Sequence, residues 1–217
     1  MLDIFTKEGF MSFLYFLPAL LISLSIHEYA HAYVAYKLGD KSQKAMGRLT
    51  MDPIAHIDWL GFLAIALVGI GWGKPVMVDD TNFKKKNKGN MLVALAGPVS
   101  NLILALAITI VVKLLMVFGL ATTMMTTTIG AVILDMLMLT ISFNIIFAIF
   151  NMIPIPPFDG SKVLLYYLPY KFKGIIYKME QYAMIILIVM FVTKIHMYII
   201  TPIYGLIFWL LSLILGL

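Results

Sequence analysis

Residues 10–36 read FMSFLYFLPALLISLSIHEYAHAYVAY, an apolar run long enough to cross a membrane that contains a His-Glu-x-x-His motif near its end. On a helix, positions four apart project from nearly the same face, so His27 and His31 can bind one zinc ion together. Glu28 then faces a water on that metal. Polar side chains left without a partner in hydrocarbon are costly, which favours metal binding over two ordinary polar helix residues.

The composition is typical of a polytopic membrane protein. Of the 217 residues, 62% are hydrophobic and 12% are charged, and the mean hydropathy is +0.97. The sequence has no cysteine, which excludes thiolate metal sites, catalytic thiols and disulfides and leaves nitrogen and oxygen as metal ligands. The length suits a single membrane domain over 1–217 without an appended soluble module.

Five apolar segments predict an all-α membrane protein, a polytopic bundle of about five transmembrane helices. They are 10–36, 91–120, 129–153, 175–193 and 196–217. We expect the core at about 10–165 and C-terminal helices over 175–217. No small-residue cleavage site follows the first segment, so we interpret it as a mature span. The stretch 59–72 is too short and too glycine-rich for an ordinary span and predicts a re-entrant or interfacial β-hairpin.

The basic residues predict the orientation in a cell membrane. Nine of the sixteen lie between the first two spans, and four more lie between the third and fourth. Both loops are therefore expected in the cytoplasm, with the N-terminus outside, the C-terminus inside and the active site toward the cytoplasmic side. His196 then falls at the opposite end of the bundle from the motif. The lysine cluster at 84–88 suits lipid headgroups, and no nucleic-acid partner is expected.

A catalytic zinc site takes three protein ligands and leaves one position open for water. Asp159 is the strongest third candidate, because it ends a proline-broken stretch, 151–160, after the third span. An aspartate there can also cap a helix. His56 is the alternative ligand, although an interfacial histidine in water explains it as well. We interpret Asp135 and Lys113, which lie within spans, as packing or snorkelling residues.

The stretch HEYAHAYVAYKLGD at 27–40 resembles the metal-binding helix of the site-2 proteases, intramembrane zinc metalloproteases of the M50 class. Four further segments agree with that family. They are 47–50 with Pro53 and 56–58; 71–76; 96–98 with Asn101; and 151–160. The likeness covers about 27–165 and is nearest to the minimal bacterial subgroup without a PDZ or CBS domain.

The resemblance implies one zinc ion with three protein ligands, His27, His31 and Asp159. It also implies that Glu28 is the general base and that Asn151 steadies the scissile carbonyl or oxyanion. The implied reaction is hydrolysis of peptide bonds in transmembrane segments or signal-peptide remnants by a Glu-activated, zinc-bound water. From the residues alone, Asn151 can equally be a hydrogen-bonding residue that ends its span. We interpret 96–98 and Asn101 as helix packing.

Six residues are expected to bind the substrate: Gly71, Trp72, Gly73, Lys74, Pro75 and Val76. Glycines allow close backbone approach and proline prevents a helix, so an unwound substrate can pair with 71–78 by strand addition. The alternative is a rigid plug that packs against the metal-binding helix.

The expected partners are a transmembrane protein or peptide and the lipid bilayer. Two other functions stay open, a divalent-metal transporter and a non-proteolytic membrane scaffold. A transporter needs ligands on both sides of the midplane, whereas those identified cluster on one.

Overall fold

The computed structural model describes residues 6–68 and 71–216, and helices account for most of that part of the chain. In chain order the α-helices are α1 (Lys7–Lys37), α2 (Ser42–Ala45), α3 (Pro53–His56), α4 (Trp59–Val68), α5 (Lys86–Val117), α6 (Leu120–Met125), α7 (Thr128–Asn151), α8 (Asp159–Tyr167), α9 (Tyr170–Glu180), α10 (Ala183–Val192) and α11 (Ile195–Leu215). A short 3₁₀ helix, Asp80–Asn82, lies between α4 and α5.

Four of these helices, α1, α5, α7 and α11, are long and apolar enough to cross a membrane. They confirm four of the five predicted spans, with ends shifted by a few residues. α1, α5 and α7 pack on one another, and α11 packs against α5 and α7. The core shared by α5, α7 and α11 is formed by Ala105, Val112, Ile141, Ile145, Ile149, Ile200 and Leu215. The long helices therefore form one bundle.

The predicted span at 175–193 is not one continuous helix, although its two helices together are long and apolar enough to count as a fifth span. It corresponds to the end of α9 and all of α10, two helices bent by 75° to each other. α10 has ten residues, so it rises about 15 Å, half the thickness of a hydrocarbon core. Its Leu187 and Met190 pack against Ile153 and Phe158, beside the end of α7. α10 therefore lies against one end of the bundle.

The direction of α11 follows from contacts at its two ends. The Lys113 ammonium, near the end of α5, donates to the Leu215 carbonyl at 2.8 Å, a favourable position for a cation. The His196 ring, at the start of α11, lies 6.2 Å from that of Phe150 at the end of α7. α11 thus runs parallel to α5. The predicted positions of His196 and of the C-terminus are wrong, because His196 lies at the metal-motif end and Leu215 at the other.

The predicted β-hairpin at 59–72 is also wrong for the described residues. Most of that stretch is α4, as suits an apolar run without alternating polar residues. Residues 69 and 70 lie outside the described chain. The residues that follow, 71–79, are not helical, and we call them the edge segment. Their β-type pairing within the described residues is one antiparallel bridge, between Gly73 and Ile57.

Two glycines let α4 fold back directly on the edge segment. A Cβ atom on Gly61 would lie 2.1 Å from the Trp72 carbonyl oxygen, and one on Gly71 would lie 2.0 Å from the Gly61 carbonyl oxygen. Neither position has room for a larger residue without a backbone shift. The edge segment is therefore held against α4 at its beginning.

We predict that the C-terminus lies on the same side of the membrane as the α6 region, because α11 runs parallel to α5. The natural absence of cysteine allows single-cysteine labelling with an impermeant maleimide. Cysteines at Thr126 and after Leu217 should label from one side, and Lys41→Cys and Lys171→Cys from the other. Labelling of the C-terminal cysteine together with Lys41→Cys would contradict this direction of α11.

Candidate active site

Three buried side chains from two helices meet at one point. The four-residue spacing on α1 brings the Nε2 atoms of His27 and His31 to 3.0 Å from each other. The Oδ2 atom of Asp159, the first residue of α8, lies 3.2 Å from His27 Nε2 and 3.1 Å from His31 Nε2. These residues form the group of potential metal ligands found within the described chain.

The second nitrogen of each imidazole bonds to α5. His27 Nδ1 lies 2.7 Å from Asn101 Oδ1, and His31 Nδ1 lies 2.7 Å from the Val93 carbonyl oxygen. Both partners are acceptors, so each Nδ1 carries the proton and each Nε2 presents a lone pair. The amide orientation of Asn101 is supported by its Nδ2, which donates to the Ser23 carbonyl at 3.1 Å and to Asn144 Oδ1 at 2.8 Å.

The donor set fits zinc. Two imidazole lone pairs and a carboxylate oxygen at about 3 Å repel one another unless a proton or a metal ion lies among them. Zinc bonds to nitrogen and oxygen of about 2.0–2.1 Å in a tetrahedron place neighbouring ligand atoms about 3.3 Å apart. The three distances found here are close to that separation.

Gly97 of α5 leaves the space beside these atoms open. A Cβ atom at this position would lie 2.6 Å from the Nε2 atoms of both His27 and His31. The interpretation of 96–98 and Asn101 as packing alone is therefore incomplete, because Gly97 and Asn101 both contact ligand histidines. The bond from Asn101 to Asn144 was not predicted either, although an asparagine in an apolar span signals a buried hydrogen bond.

A cavity of about 370 Å³ contains the three potential ligands and opens along the edge segment. Most of the other predicted site residues also line it: Glu28, Asn151, Gly71, Trp72, Gly73, Pro75 and Val76. Lys74 does not line it, and its backbone N–H donates to the His56 carbonyl at 2.8 Å. The structure therefore brings together every predicted site residue except the side chain of Lys74.

The alternative ligand His56 lies away from the metal group. Its side chain is fully buried, and Nε2 is 2.8 Å from the Thr50 carbonyl oxygen. His56 is the last residue of α3 and supports the edge segment through its carbonyl, which accepts from the Lys74 N–H. Asp135 is exposed on α7 and does not join the metal group either.

The hydrogen bonds of the edge segment alternate between its two sides. On one side, the Val76 N–H donates to Glu28 Oε2 at 3.3 Å. On the other, the Met77 carbonyl accepts from Gln43 Nε2 at 2.7 Å, and the Asp79 N–H donates to Asp40 Oδ2 at 2.9 Å. Alternation of this kind is typical of an extended chain. The edge with Met77 and Asp79 is thus anchored to Asp40 and Gln43, which follow α1, and the edge with Val76 faces the cavity.

Asp40 is the centre of that anchor. Its carboxylate is fully buried and accepts hydrogen bonds from Ser42, Gln43 and the Asp79 N–H. Burial alone raises the pKa of this carboxyl, but the bonds from Ser42, Gln43 and Asp79 outweigh it and hold the pKa below its ordinary value. A charged Asp40 therefore ties the edge segment to the end of the metal-binding helix.

A buried His-His-Asp donor set, with a glutamate beside it and membrane-length helices around it, defines a membrane metalloenzyme. The profile of Peptidase family M50 matches residues 15–195. The chain belongs to this family and is a zinc metalloprotease.

The printed names of two relatives agree with this family assignment. The chain is 36% identical over 188 residues to the "Putative zinc metalloprotease YwhC" of Bacillus subtilis, which covers 87% of this chain and 84% of the relative. It is 32% identical over 176 residues to the "Putative zinc metalloprotease Rip2" of Mycobacterium tuberculosis, which covers 79% of this chain and 64% of the relative. No solved structure gives a significant match.

We predict that Gly97→Ala weakens zinc binding, because the added methyl group would lie 2.6 Å from both Nε2 atoms and displace them. The affinity for zinc, measured by competition with a chelator, should fall at least about tenfold, a loss as large as that of a metal-orienting residue. Gly174→Ala is the matched control, since a Cβ atom there meets nothing within 4 Å. Wild-type affinity for zinc in Gly97→Ala would contradict the placement of the metal.

Proposed function

We propose that this protein is an intramembrane zinc endopeptidase that hydrolyses peptide bonds in transmembrane segments or signal-peptide remnants. The observation that carries the proposal is the position of the cavity, which holds the three potential ligands and Glu28 among helices of membrane length. In this proposal, a substrate segment enters the cavity laterally from the same bilayer.

The reaction assigns one task to each group. Zinc, when bound, polarises the peptide carbonyl and makes a water acidic enough to lose its proton near neutral pH. Glu28 is half-buried beside His27, so its carboxylate takes the proton of the attacking water and passes it to the leaving amine. Asn151 lines the cavity with its Nδ2 bonded to the Phe147 carbonyl at 3.0 Å, and it steadies the developing oxyanion when that bond is exchanged.

The edge segment is the proposed docking strand for the unwound substrate. The Val76 carbonyl and both backbone groups of Val78 have no hydrogen-bond partner among the described residues. These groups can form a β-ladder, so an extended peptide that pairs with them is stabilised. The substrate also competes for the Val76 N–H, whose 3.3 Å bond to Glu28 is long. Substrate pairing thus frees the general base.

The proposed orientation has the active site toward the cytoplasm and the N-terminus outside. Thirteen of the sixteen basic residues lie in the two loops at the metal-motif end of the bundle, which supports this orientation. In intact cells, the cysteine at Thr126 should therefore label while those at Lys41 and Lys171 are protected.

The first test is Glu28→Gln on a panel of single-span peptides with detergent-purified protein. We expect zinc to be retained and cleavage to fall by at least about 10²-fold, because the variant keeps the ligands and loses the proton acceptor. His31→Ala should lose both zinc and cleavage. Wild-type rates in Glu28→Gln would overturn the proposed mechanism, and no cleavage by the wild type would favour a scaffold.

The second test separates strand addition from a packed plug. Val78→Pro removes one unpaired donor of the edge segment, so cleavage of helical substrates should fall about tenfold while zinc content stays normal. Val78→Ala removes nearly the same side chain and keeps the N–H, so it is the matched control. Equal kcat/KM values in the two variants would reduce the edge segment to packing.

A further inference from the structure

A second cavity, of about 440 Å³, adjoins the catalytic one. The two share four lining residues: Val76, Val78, Val93 and Lys162. The edge segment lines both cavities through Val76 and Val78, and Asp80, which follows it directly, lines the second. A peptide that follows this segment past the catalytic site therefore continues into the second cavity.

The charged groups of the second cavity are unevenly paired. Its lining contains three lysines and two acidic residues: Lys86, Lys162, Lys173, Asp80 and Glu180. The Asp80 carboxylate already has two partners, because it accepts from the Lys86 ammonium at 2.8 Å and from the Asn90 amide at 2.7 Å. Lys162 and Lys173 have no ion-pair or hydrogen-bond partner within the described residues. Two ammonium groups thus face one remaining carboxylate, that of Glu180.

We propose that this cavity binds the polar flank of the substrate and favours flanks that carry aspartate or glutamate. The inference rests on the proposed function. A peptide suits the site better than a lipid headgroup because the cavity continues the catalytic one along the edge segment. Substrates with lysine or arginine at the same positions meet Lys162 and Lys173 and are disfavoured.

The test uses three single-span peptides that differ only in four flanking residues, which are glutamate, glutamine or lysine. With zinc-loaded wild type in phosphatidylcholine nanodiscs, the glutamate flank should raise kcat/KM about threefold to tenfold over glutamine, as expected for one or two partly exposed ion pairs. High salt should reduce the difference. Equal values for glutamate and glutamine would overturn the proposal.

Lys173→Glu should remove the preference for the glutamate flank and favour the lysine flank. Lys178→Glu changes the net charge equally on the same helix but does not line the cavity, so it should keep the wild-type preference. An equal change of flank preference in both variants would indicate an effect of the overall charge and overturn the proposed site. A rate increase with phosphatidylglycerol that is the same for all three peptides and depends on Lys173 would assign the cavity to a lipid.

Binding to Glu28→Gln separates this proposal from the proposed function. Fluorescence anisotropy with the same peptides should show tighter binding of the glutamate flank. If the wild type cleaves no peptide but the binding preference depends on Lys173, the endopeptidase proposal fails and the site remains. If the peptides are cleaved without any flank preference in rate or binding, the flank-binding proposal fails and the endopeptidase proposal stands.

Discussion

Every polar atom of the metal site must be satisfied inside an apolar bundle, and this requirement determines how the helices meet. The two imidazoles bond α5 through Asn101 and the Val93 carbonyl, which turns both Nε2 atoms toward Asp159. Gly97 lets α5 pass close enough for those bonds. The same contacts therefore orient the metal ligands and pack α1 on α5, so a change to either the site or the packing alters both.

The edge segment connects the site to its substrate. Asp40 and Gln43 hold one side of it, and Glu28 contacts the other. Because the anchor begins three residues beyond the end of α1, the segment keeps its place relative to the metal ligands. A strand held on one side with unpaired groups on the other is suited to accept an extended peptide.

The ligands were predictable because their signal is local: a four-residue spacing for the histidines and a proline-broken loop for Asp159. The bend between α9 and α10 was not predictable, because a hydropathy average over the segment does not show where a helix breaks and α10 is as apolar as a true span. The direction of α11 depends on contacts such as Lys113 with Leu215, which join residues far apart in sequence. The bond of Asn101 to His27 was not predicted, because the spacing of residues does not show which side chain an asparagine bonds across helices.

The most direct test of the central claim is zinc K-edge X-ray absorption of the purified, zinc-loaded protein. We expect four nitrogen or oxygen ligands at about 2.0–2.1 Å, of which two are imidazoles, and a changed spectrum in Asp159→Ala. Three imidazoles, or a spectrum unchanged in Asp159→Ala, would contradict the assignment of His27, His31 and Asp159 as the ligand set.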